Sequence, residues 1–167
     1  MADVQKISPC LWFDGNGEEA ARFYVSIFKN SRMGAITRFG KEGFEIHGRP
    51  AGSVMTVNFV LDGQEFTGLN GGPLFKFNEA ISLVVNCDSQ AEIDHYWEKL
   101  GAGGDPQARQ CGWLKDKYGL SWQIVPKALQ EMYKAGVSAK SERAMKAMLQ
   151  MKKLDIAALQ KAYDGAA

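Results

Sequence analysis

One segment of the chain is written twice. Ser8–Phe28 lies on Ala80–Leu100 at an offset of 72 residues, and Ala21, Tyr24, Val25 and Phe28 then fall on Ile93, Tyr96, Trp97 and Leu100. Both sets follow the i, i+3, i+4, i+7 spacing that gathers apolar side chains on one face of a helix, so each helix is expected to cover one face of a sheet. A strand ending in a capping turn precedes each helix: Ile7–Phe13 into Asp14-Gly-Asn-Gly17, and Ile81–Cys87 into Asp88-Ser89. A repeat this long is a duplicated module and not a solenoid unit.

Strand patterns follow each helix. Ala35–Phe39, Val54–Leu61 and Glu65–Leu69 come after the first, with Asp62-Gly63 as a two-residue hairpin turn. Ala108–Lys115 and Leu120–Val125 come after the second and flank Asp116-Lys-Tyr-Gly119. The unit reads β-α-β-β-β, twice. Setting Gly63 on Gly119, an offset of 56, brings Phe66 over Trp122 and Thr67 over Gln123, and the smaller offset marks Gly40–Ser53 as an insertion. Outside the repeat, Lys127–Lys134, Ser141–Lys153 and Ile156–Tyr163 read as helices, the last with Asp155 as N-cap and Gly165 past its end. The expectation is one α+β domain over 1–167, with module one at about 5–75, module two at about 78–126 and a helical tail at about 127–167.

Composition limits the partners. The chain is 46% hydrophobic and 23% charged, ordinary globular usage, and it has neither the roughly 18 uninterrupted apolar residues of a membrane span nor an apolar run at Met1–Lys6. Twenty basic residues against nineteen acidic leave +1, so neither nucleic acid nor an anionic membrane is expected as a partner. Cys10, Cys87 and Cys111 are odd in number and lack metal-type spacing, which suits reduced thiols in a cytoplasmic protein.

Several stretches resemble one known family. They are Pro9-Cys-Leu-Trp-Phe-Asp-Gly-Asn-Gly-Glu-Glu-Ala20 with Phe23-Tyr24 and Phe28, Phe66-Thr-Gly-Leu-Asn-Gly-Gly-Pro73, Phe75-Lys-Phe-Asn78, Ile81-Ser82 and Tyr96-Trp-Glu-Lys-Leu100. Trp113-Leu-Lys-Asp-Lys-Tyr-Gly-Leu-Ser-Trp-Gln-Ile-Val-Pro126 and the tail Ala147-Met-Leu-Gln-Met-Lys-Lys-Leu-Asp-Ile156 complete the set. The resemblance is to PhnB-like proteins, often labelled 3-demethylubiquinone-9 3-methyltransferase domains. They belong to the vicinal oxygen chelate superfamily of glyoxalase I, extradiol dioxygenases and bleomycin-resistance proteins. It implies two βαβββ modules whose curved sheets form a common cleft, with a metal held by inward-pointing residues on the first and last strands. Alternation puts Ser8, Cys10 and Trp12 toward that cleft in module one, with Ala80, Ser82 and Val84 as their counterparts in module two. The carboxylate positions are taken by Thr67 and Gln123. Neutral hydroxyl and amide groups are poor ligands for a divalent ion, so no metal ligand is assigned and no cofactor is expected, with a divalent metal kept as an alternative.

A lined cleft remains. Cys10, Trp12, Thr67, Asn70, Phe75, Phe77, Ser82, Trp113 and Gln123 are the expected substrate-binding side chains, mixing aromatic walls with neutral hydrogen-bonding groups. Glu79 and His47 are the candidates for moving a proton. Three functions stay in play: an enzyme-like binder of a small organic molecule with unknown reaction, a non-catalytic sequestration protein of the bleomycin-resistance type, and a methyltransferase acting on a quinone precursor. The last finds no mechanical support, because nothing places Gly68-Leu-Asn-Gly-Gly72 at the strand-to-helix turn of a βαβ unit. Uncovered edge strands and the Met145, Met148, Leu149 stripe point to a homodimer.

Overall fold

Alternation along the first strand sets the first sheet. In the computed structural model, which describes residues 5–165, β1 (Cys10–Phe13) buries Leu11 and Phe13 and leaves Cys10 exposed and Trp12 half-buried. The ends of the domain expected over 1–167 lie outside the described residues. Helix α1 (Gly17–Ile27) lays Ala20, Ala21, Tyr24 and Ile27 on the buried face, while Val25 and Phe28 border it half-buried. Then come β2 (Arg32–Arg38), a single helical turn α2 (Phe44–His47), β3 (Val54–Leu61) and β4 (Gln64–Asn70), in sheet order β1-β4-β3-β2 with β1 parallel to β4. Asp62 and Gly63 both take left-handed φ, 47° and 82°, as a two-residue hairpin turn of this hand requires. Below the sheet the rings of Phe59 and Phe66 stack at 5.4 Å, and Tyr24 lies over Phe59.

The second module is shorter by one strand. It runs β5 (Ser82–Cys87), α3 (Gln90–Gly101), β6 (Trp113–Lys115) and β7 (Ser121–Pro126), in sheet order β5-β7-β6 with β5 parallel to β7. Ser89 caps α3 by accepting from the Glu92 N–H at 3.2 Å. The strand expected from Ala108 begins only at Trp113. Pro106 opens a 3₁₀ turn instead, and Gly103, Cys111 and Gly112 adopt φ of 73°, 52° and 83°, a backbone that cannot continue a ladder. The N–H groups of Cys111 and Gly112 donate to the carbonyls of Met151 and Lys152 in the tail.

Strand register corrects the match between the modules. Cys10 pairs with Thr67, but Ser82 pairs with Ser121, so at the 72-residue offset the counterpart of Thr67 is Ser121 and not Gln123. Two residues join Leu61 to Gln64, whereas Lys115 and Ser121 are joined by Asp116–Leu120, so matching glycine to glycine overshoots. A slip of two preserves side-chain parity, and Ser121 and Gln123 therefore share one face.

The tail is three helices, α4 (Lys127–Lys134), α5 (Ala139–Met148) and α6 (Ile156–Asp164). Leu129, Met132, Ala144, Leu154 and Leu159 make its core. α5 stops five residues short of Lys153. The expected caps of α6 are both present: Asp155 accepts from the Ala158 N–H at 2.9 Å, and Gly165 closes the helix at φ 74°. The chain divides between Lys76 and Phe77 into two compact units, and the tail belongs to the second. No helix among the described residues is long and apolar enough to cross a membrane.

Candidate functional site

On the first sheet the face turned from α1 carries two rows set by register. Cys10, Thr67 and Asn58 form one, in which Thr67 Oγ1 donates to Asn58 Oδ1 at 3.1 Å. Trp12, Leu69, Thr56 and Thr37 form the next, in which the two threonine hydroxyls share a hydrogen bond. The Trp12 indole donates from Nε1 to the Gly72 carbonyl at 2.8 Å and meets Phe75 edge-on at 4.8 Å. Gly71 is obligatory here, because a Cβ on it would collide with the Trp12 ring. The Gly68–Gly72 run therefore fixes an indole at the end of β4.

Asn70 lies on the opposite face. It is 4% exposed, accepts from the Gly17 N–H through Oδ1 at 2.8 Å and donates to the Val54 carbonyl at 3.1 Å, so it caps α1 from 53 residues away and does not line the open face. The α1 start has no side-chain cap of its own. His47 ends α2, with Nδ1 accepting from the Arg49 N–H at 2.9 Å, Nε2 at 3.2 Å from the Glu42 carbonyl and its ring on Phe39 at 4.6 Å. Both nitrogens are engaged inside that loop.

The second sheet has a matching face. Ser82, Val84 and Asn86 from β5, Ser121, Gln123 and Val125 from β7, and Trp113 and Lys115 from β6 share it by register. Gln123 Nε2 donates to Ser82 Oγ at 2.9 Å, and Trp113 stands directly across from Gln123. Phe77 is half-buried in the same unit. Glu79 is exposed and ion-paired with Lys115; the hydrogen bond from Lys115, then a backbone bond of its own and the lysine charge, hold its carboxyl below the usual range. A cavity of about 450 Å³ lies at the β6 edge, lined by Glu79, Gln110, Cys111, Trp113, Lys115 and Ser121, among others. The predicted residues thus divide, with Cys10, Trp12, Thr67 and Phe75 in the first unit and Phe77, Glu79, Ser82, Trp113 and Gln123 in the second. Asn58, Lys115 and Ser121 went unread, although parity from Trp113 and Gln123 reaches the last two.

These donors do not fit a divalent ion. The first and last strands offer Cys10, Thr67, Ser82, Ser121 and Gln123, and among the described residues no three His, Cys, Asp or Glu side chains are grouped to hold a metal. Desolvation pushes the Cys10 thiol up.

Comparison with known proteins agrees with this architecture. The family described as 3-demethylubiquinone-9 3-methyltransferase matches residues 5–125. A Bacillus cereus PhnB protein carrying that same description is similar in structure, with a TM-score of 0.61 and 37% identity, over 73% of this chain and 99% of its own. A Pseudomonas aeruginosa protein shares the fold at 22% identity, with a TM-score of 0.55 over 74% of this chain and 98% of its own. Among curated proteins nothing matches.

Proposed function

The chain belongs to the 3-demethylubiquinone-9 3-methyltransferase family, the PhnB-like branch of the vicinal oxygen chelate superfamily, and from that premise we propose that it binds a small aromatic molecule on the open faces of its sheets without using a metal. One observation carries the reading: each module has an indole and a neutral hydroxyl–amide pair on the same sheet face, Trp12 in the row next to Thr67 and Asn58, and Trp113 across from Gln123, which bonds Ser82. An indole gives a flat apolar wall on which a ring stacks, and a neutral pair exchanges its mutual hydrogen bond for one to a ligand at little cost. The family's description names a quinone, a ring of the kind such walls accept. The candidate proton carriers favour binding over general base chemistry. A carboxyl held low by Lys115 is a weak base, and His47 spends both nitrogens on its own loop.

The test follows the indole N–H signals of Trp12 and Trp113 by NMR while neutral aromatic compounds, hydroquinone first, are added to millimolar concentration. Shifts at one or both indoles are expected. Thr67→Ala should weaken compounds seen at Trp12, and Gln123→Ala those seen at Trp113, by about tenfold, the order of one hydrogen bond, with little change in melting temperature. Silence at both indoles across the series ends the proposal.

A further inference from the structure

The cavity at the β6 edge holds a hydroxyl with nothing to bond. Ser121 is 1% exposed, and its Oγ has no hydrogen-bond partner. A buried hydroxyl left alone costs free energy, so a site that keeps one is poised for a group to fill it. Across the β6–β7 ladder its direct neighbour is Lys115, and side chains so placed carry Cβ atoms roughly 4.5–5.5 Å apart. Lys115 and Ser121 are thus neighbours on one face, and both line the cavity.

At present Lys115 is satisfied by Glu79. The two ends of that pair differ: the lysine side chain is 26% exposed and the glutamate 65%. Both residues line the cavity, the lysine from β6 and the more exposed glutamate from the segment before β5. An exposed ion pair of this kind is weak, because water and salt screen it, so a ligand's acidic group can take the place of Glu79. Trp113, two residues from Lys115 on the same strand face, supplies a flat wall, and Cys111 and Gln110 also line the cavity.

We propose that this cavity takes a small aromatic carboxylate, whose carboxylate displaces Glu79 from Lys115 and accepts from Ser121 Oγ while its ring lies on Trp113. The proposal rests on the ring-binding function above and adds the charge of the ligand and the residues that read it. Glu79 then acts as a tethered stand-in for that carboxylate, keeping Lys115 paired until a ligand arrives.

Benzoate and its neutral isostere benzamide separate the two ideas. Followed at the Trp113 indole, benzoate should bind at least tenfold more tightly than benzamide. Glu79→Gln, a change at an exposed side chain, should tighten benzoate several-fold by removing the competitor and leave benzamide alone. Lys115→Met should abolish the preference. Ser121→Ala should weaken benzoate about tenfold yet hold or raise the melting temperature of the free protein, since it removes an unpaired buried hydroxyl; a structural serine would lower it. Equal binding of the two compounds, no response to either at 10 mM, or benzoate affinity indifferent to Glu79→Gln each overturns the carboxylate assignment. The underlying ring-binding function is judged separately, by the neutral series followed at both Trp12 and Trp113.

Discussion

Asn70 shows how one side chain can look like a site residue and be structural. It stands three residues from Thr67 on the same strand, so alternation alone assigns the two to opposite faces. What the sequence could not show is its partner, because the Gly17 N–H it satisfies lies 53 residues away and the α1 start offers no cap from its own turn. Gly17 itself is required, since a Cβ there would stand 2.8 Å from Asn70 Oδ1. Replacing Asn70 with Ala strands a buried donor at a helix N-terminus and leaves the Val54 carbonyl without its side-chain donor, so Asn70→Ala should cost about 2–3 kcal/mol in urea unfolding. It should leave any compound bound at Trp12 with unchanged affinity, and a loss below about 0.5 kcal/mol would show that water replaces the amide. Thr67 and Gln123 were legible as open-face residues by parity, and parity extends to Ser121, whereas its pairing with Ser82 was hidden by a turn whose length no periodicity reveals. Cys87 is the opposite of a site: burial, then the Glu92 and Asp88 carboxylates, push its thiol up to about 12, which leaves it inert.

At the level of elements, patterns that are local in sequence were readable and those set by distant contacts were not. β3 and α4 begin and end where alternation and Pro126 place them, and the Asp62-Gly63 turn follows from two residues that tolerate positive φ. The β6–β7 turn is built differently. Asp116, 2% exposed, accepts from the N–H groups of Tyr118 and Leu120 through Oδ1, at 2.8 and 3.1 Å, and from Trp122 Nε1 through Oδ2 at 2.8 Å. A buried carboxylate with three donors organises the whole hairpin, and it reads in sequence only as one more turn aspartate. Asp116→Ala leaves the indole of Trp122, itself 2% exposed, without that acceptor. The expected loss is about 3 kcal/mol with a red-shifted tryptophan emission, both seen in one urea titration. Wild-type stability would mean that the glycine at 119, at φ 85°, holds the turn unaided. Where module two lacks a further strand, the N–H groups of Cys111 and Gly112 donate instead to the Met151 and Lys152 carbonyls of the tail, a contact distant in sequence.

At the scale of the whole molecule the open question is what covers the sheet edges. β1 and β2 are outer strands of the first sheet and β5 and β6 of the second, and an outer strand presents unpaired backbone groups. The expected Met145, Met148, Leu149 stripe explains little of this. Met148 packs on the tail's own core and Tyr133 donates to the Met145 sulfur, so Leu149, 52% exposed, is the residue most plainly left in water. Apolar exposure also lies at β5, where Val84 is 50% exposed and Ile81, just before the strand, 70%, at an outer edge of the second sheet. A second copy of the chain is the partner that edge suits, since identical edges pair about a twofold axis and bury the same side chains from both sides. Light scattering at micromolar concentration should therefore give twice the 18.4 kDa of one chain. Ile81→Lys should return the mass to that of a monomer, because a charge at an edge opposes pairing, while Leu149→Lys should leave the dimer intact. A wild-type mass of 18.4 kDa would instead leave β5 as a free edge, and dissociation by Leu149→Lys alone would move the interface to the tail.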